Sequence, residues 1–130
     1  MKFDLFRAPL SSGAIALALA ALPAAVFAHG SMKPQHGGLV QMSGETMIEL
    51  VTGPRGADVY LTEEDEPVAA AGYTAKLIQT AGGAKTEAAL KPVGANRLSA
   101  VGFKATRGAK IVVALTDRNG AKVFATFQTK

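Results

Sequence analysis

His29, Met32 and His36 bring two imidazoles and a thioether into one short segment, HGSMKPQHGG, at residues 29–38. Both histidines of the chain lie there. Imidazole suits copper and zinc, and thioether sulfur selects softer ions such as Cu(I) and Ag(I). Together they make a candidate ligand set for a soft or borderline transition metal. Met42 and Met47 follow closely, so the candidate metal ligands are His29, Met32, His36, Met42 and Met47. Against this, a methionine at a strand position is ordinary core filler. A segment punctuated by Gly30, Pro34 and Gly37 is equally an N-terminal stretch with no ligand at all. Both readings stay open at the level of residue types.

What precedes the segment bears on its chemistry. Lys2 and Arg7 form a charged start, Ala14–Ala21 is an apolar run too short to span a bilayer, and Pro23 breaks it. Val26-Phe27-Ala28 then supplies the small residues that a signal peptidase reads. Residues 1–28 are therefore expected to be a cleaved secretory signal peptide, with the mature chain in the periplasm. Cleavage after Ala28 would put His29 first, where its α-amine and imidazole Nδ1 can chelate one ion together once unprotonated. Residues 29–37 read as a flexible N-terminal arm and residues 38–130 as one folded domain.

Composition narrows the function classes. About a hundred residues remain after the signal, enough for one small domain. The formal net charge of +4 is spread over scattered lysines and arginines, without the cluster that marks a nucleic-acid surface. Cysteine is absent, which removes disulfides, thiolate metal sites and a cysteine nucleophile. No later apolar run is long enough to cross a membrane.

Positioning these side chains falls to β-strands. From Leu39 onward, short runs of apolar and β-branched residues alternate with turn residues. The runs are Leu39–Met42, Thr46–Thr52, Ala57–Thr62, a short edge run at Pro67–Ala71, Tyr73–Thr80, Thr86–Lys91, Arg97–Phe103, Lys110–Thr116 and Lys122–Thr129. Val59 and Leu61 share a face, as do Ile111, Val113 and Leu115, and then Val123, Ala125 and Phe127. Asn119-Gly120 is a strong hairpin dipeptide. The expected fold is all-β, a single antiparallel β-sandwich (Ig-like or similar Greek-key) of about seven to nine short strands. The acidic run Glu63–Glu66 lacks the spacing of a calcium loop and reads as a solvated hairpin tip.

Enzyme chemistry finds little support. The histidines lie outside the strands that would have to orient a hydrolase base. Gly82-Gly83 opens no helix, so it is no phosphate loop. Glu45 and Glu49 need not meet as a catalytic pair. A copper brace of the kind used in oxidative polysaccharide cleavage needs a flat aromatic face, and the chain has no tryptophan. No catalysis is expected.

Three stretches carry a family resemblance: His36-Gly37-Gly38-x-Val40, Met47-x-Glu49-Leu50-Val51, and Val59-Tyr60-Leu61-Thr62 with Pro67 downstream. The chain resembles the N-terminal extracytoplasmic module of periplasmic adaptor (membrane fusion) subunits of heavy-metal efflux pumps, and small periplasmic proteins built on that module. The likeness runs in pattern over most of residues 36–129, ending at Ala125–Phe127. It implies a small periplasmic β-domain that handles copper, silver, zinc, cobalt or cadmium, with an efflux pump component as partner. It falls most directly on His36, with Gly37 and Gly38 turning the chain into the first strand; Glu49 matches an acidic strand position. The adaptor's hairpin and lipoyl-like parts have no counterpart here. The expected function is thus periplasmic metal binding, with a copper or zinc ion bound. The alternative is a β-sandwich that recognises a protein partner through an edge strand.

Overall fold

The computed structural model describes residues 32–130; the expected signal peptide and His29 lie outside the described residues. The described residues form nine strands: β1 (Leu39–Ser43), β2 (Thr46–Gly53), β3 (Gly56–Glu63), β4 (Glu66–Pro67), β5 (Thr74–Ala81), β6 (Ala84–Gly94), β7 (Arg97–Val101), β8 (Lys110–Thr116) and β9 (Lys122–Gln128), with alternating burial clearest in β3, β7, β8 and β9. Among the described residues there is no helix, and so none long and apolar enough to cross a membrane. The all-β class is as expected.

The architecture differs from the expected sandwich. All pairings are antiparallel, and the strands follow one path, β1-β2-β3-β7-β6-β5-β8-β9, with β4 added to β3. The first and last strands of that path, β1 and β9, come beside each other. The result is barrel-like rather than clearly a sandwich. The cause is β6, eleven residues long. Its Ala84–Leu90 part pairs with β5, and its Lys91–Gly94 part pairs with β7 through a register shift between Pro92 and Gly94. A bulged strand bends and twists more strongly, so one strand serves both halves and joins them at a corner.

Inside lies one apolar cluster. Ile48, Leu50, Val59, Leu61, Leu77, Leu98, Ile111, Val113, Leu115 and Phe127 are all essentially inaccessible to solvent. The faces expected from alternation on β3, β8 and β9 are the faces found. The run Pro67–Ala71 is shorter as a strand than expected, only Glu66–Pro67. Beyond it, the amides of Val68 and Ala70 donate to the carbonyls of Leu61 and Ala95, on two different elements, so no single ladder can continue.

Turn chemistry accounts for the hairpins. Glu64 and Asp65 both have positive φ between paired Glu63 and Glu66, which is the two-residue type I′ geometry, and the acidic run is a hairpin tip. Ala95 has a φ of 46° at the β6–β7 turn. An L-residue there is strained by roughly 1–2 kcal/mol. Ala95→Gly should therefore raise unfolding stability, by about 1 kcal/mol after glycine's extra chain entropy. Denaturant titration of the two proteins checks it, and an unchanged or lowered midpoint contradicts it.

Candidate functional site

Alternation along β2 separates two surfaces. Ile48 and Leu50 enter the apolar cluster, so Met47, Glu49 and Val51 lie on the opposite face. Pairing register extends that face to the neighbouring strands. Met47 stands opposite Met42 on β1 and Thr62 on β3, and Glu49 stands opposite Val40 and Tyr60. Met42, Met47, Glu49 and Tyr60 therefore share one surface of β1–β2–β3.

Glu49 is only 1% exposed although it points away from the core. Residues 35–38 cover it. Its Oε1 accepts the backbone N–H of Gln35 at 3.0 Å and meets His36 Nδ1 at 3.0 Å. Its Oε2 accepts the N–H groups of His36 at 2.8 Å and Gly38 at 2.9 Å. The His36 ring also stacks on Tyr60, with centroids 3.6 Å apart and planes 7° from parallel.

Both glycines of the HGG segment are needed locally, for different reasons. Gly37 has a φ of 73°, which lets the chain turn before entering β1. Gly38 approaches the sheet so closely that a Cβ would lie 2.4 Å from the Leu50 carbonyl oxygen. The short, tight entry then presents three amide hydrogens to one carboxylate.

Burial pushes the Glu49 carboxyl up. The amide of Gly38, the His36 ring and the amides of His36 and Gln35 more than offset this, and hold it below the usual glutamate value. An ionised carboxylate only accepts, so the hydrogen between it and His36 sits on Nδ1. The His36 ring hydrogen-bonds to no other described residue, and its side chain is 38% exposed.

The structure treats the sequence-derived ligands differently. His36 is held against Glu49 and Tyr60. Met42, half-buried, and Met47, buried at 5% exposed, form a directly opposed cross-strand pair on the face that carries Glu49. Met32 is 50% exposed and precedes the strands. His29 lies outside the described residues. Among the described residues no three His, Cys, Asp or Glu side chains come together.

Two participants were not legible as such in the sequence. Glu49 was only an acidic strand position and Tyr60 only an aromatic. The available signal was an acid inside the apolar run Met47–Val51, which a strand buried on both faces tolerates only with partners. Beyond Tyr60 the same face continues into a groove of about 440 Å³ whose lining includes Val51, Asp58, Arg97 and Ser99 but not His36 or the methionines. No family model matches the chain, and no curated protein or solved structure matches it.

Proposed function

We propose that this chain is an exported periplasmic protein that binds a soft or borderline transition metal, copper, silver or zinc, in metal handling or resistance, and passes it to an efflux component. His36 is the principal ligand and Met42 and Met47 are its thioether partners. The single observation that carries this reading is the shared surface. An imidazole pinned by Glu49 and Tyr60 stands on the same face of β1–β2–β3 as two opposed methionines, away from the apolar cluster. One imidazole with thioethers favours Cu(I) and Ag(I). Zinc would call for His29 as a second nitrogen ligand. The role proposed is binding rather than catalysis.

The reading is tested by intact-mass measurement of the exported chain, followed by titration with Cu(I), Ag(I), Cu(II) and Zn(II) of wild type and His36→Ala. Loss of even an outer partner of a metal ligand costs about 10–100-fold in affinity. Loss of His36 itself should therefore cost at least about 100-fold. Equal affinity in the two proteins would remove His36 as a ligand and the proposal with it. The alternative reading is a protein partner taken up at an edge strand; the proximity of β1 and β9, the ends of the strand path, leaves less open edge for it.

A further inference from the structure

We infer that Glu49 is the positioning residue of this site: by accepting the Nδ1–H of His36 it holds the ring in the one tautomer that leaves the Nε2 lone pair free for a metal ion. The inference rests on the metal-binding reading for its ligand, and on geometry for the tautomer.

A neutral imidazole carries one hydrogen, on either nitrogen, and the partner of one nitrogen decides the state of the other. Here the partner is fixed. The Glu49 carboxylate is 1% exposed, and all four hydrogen bonds it accepts come from Gln35, His36 and Gly38. Three of them anchor the backbone that carries the ring, and the fourth reads the ring itself. Stacking on Tyr60 at 3.6 Å opposes the half-turn that would exchange Nδ1 for a carbon. A ring with both its backbone and its tautomer set offers Nε2 as its only donor atom.

Burial of a carboxylate for stability alone is poorly motivated. Its desolvation is costly, and an apolar residue at such a position is often as stable or more so. Carboxylate-to-histidine pairing behind a ligating nitrogen is the arrangement that orients imidazoles toward metals. Glu49 satisfies that arrangement while joining no polar network other than the segment holding His36.

The test uses the full mature chain labelled with nitrogen-15. Long-range proton–nitrogen correlation of the His36 ring, at a pH where it is neutral, reports the tautomer directly and needs no mutation. The expected result is a ring protonated predominantly at Nδ1. In Glu49→Gln, a near-isosteric change whose fold is checked by circular dichroism, the population should move toward Nε2–H. Affinity for Ag(I) should then fall about 10–100-fold.

A wild-type ring protonated mainly at Nε2 overturns the inference without any mutant. So does a Glu49→Gln protein with unchanged tautomer and unchanged Ag(I) affinity, even if His36→Ala abolishes binding and the metal reading stands. Conversely, a wild type that shows the Nδ1–H tautomer but binds none of the metals upholds the positioning by Glu49 and removes the metal reading alone.

Discussion

Replacing Glu49 with alanine should free residues 35–38 from the sheet and raise amide hydrogen exchange at Gln35, His36 and Gly38 by at least about 100-fold. A hydrogen bond to a charged acceptor contributes about 1.5–3 kcal/mol net, and each 1.4 kcal/mol is about a tenfold change in an opening equilibrium. Three amides and the ring depend on this one carboxylate. The stack on Tyr60 contributes about 0.5–1.5 kcal/mol more and should be lost with them. The freed donors regain water, so global stability should fall by less, about 1–2 kcal/mol. The sheet itself should persist, because Glu49 lies outside the apolar cluster. Exchange at the three amides unchanged from wild type would show that Glu49 does not hold the segment.

Acid should mimic the substitution. The folded-state pKa of Glu49 is lowered, so its stabilisation is fully present above the unfolded glutamate pKa. It is lost as pH falls through the folded value. Docking of residues 35–38 should therefore survive neutral and weakly acidic conditions, and fail only below the range where a free glutamate protonates. The amide signals of His36 and Gly38, followed against pH, read this directly. Release at a pH above the ordinary glutamate range would contradict the assignment.

Gly56→Ala should be the costlier change for the fold. Gly56 opens β3 with a φ of 142°, and a Cβ there would lie 2.2 Å from the Ala100 carbonyl oxygen and 3.0 Å from the Gly102 amide nitrogen. Both are backbone atoms. Gly56 also pairs with Val101, and the adjacent Arg55 carbonyl accepts the Gly102 amide at 2.8 Å. Relief of the clash therefore means separating β3 from β7. Backbone strain of about 1–3 kcal/mol, with overpacking of similar size, predicts a loss of roughly 3 kcal/mol. Gly53→Ala is the control, since nothing lies within 4 Å of its added Cβ and its φ is ordinary; it should stay within about 0.5 kcal/mol of wild type. Denaturant midpoints of the two variants test the pair. Equal midpoints would mean that the β3–β7 approach is not the constraint.

How far the site was readable depended on the range of the interactions involved. Met42 and Met47 lie on either side of one short turn, which is a local fact, but it is the structure that sets that turn at Gly44-Glu45 and so makes the two face each other. His36 next to the first strand was equally a local fact. Glu49 was different. Alternation placed it opposite Ile48 and Leu50, the face that a one-sided sheet leaves to water, and nothing local to β2 says that Gln35–Gly38 will cover it. Tyr60 reaches the His36 ring only through the β2–β3 register.

Strand positions, core faces and turns were determined by the sequence itself, because two-residue alternation and the turn preferences of Gly, Asn and Asp act over a few neighbours. Barrel-like closure and the buried carboxylate were decided by tertiary structure. The barrel-like arrangement depends on β6 pairing with β5 along one part and β7 along another, across a register shift that single-strand patterns do not encode, and on β1 and β9 coming side by side. Glu49 acquired its role when a chain segment more than ten residues upstream supplied donors to an acid that its own strand leaves unpartnered. Local sequence specifies which way a side chain points; the path of the whole chain specifies what it meets there.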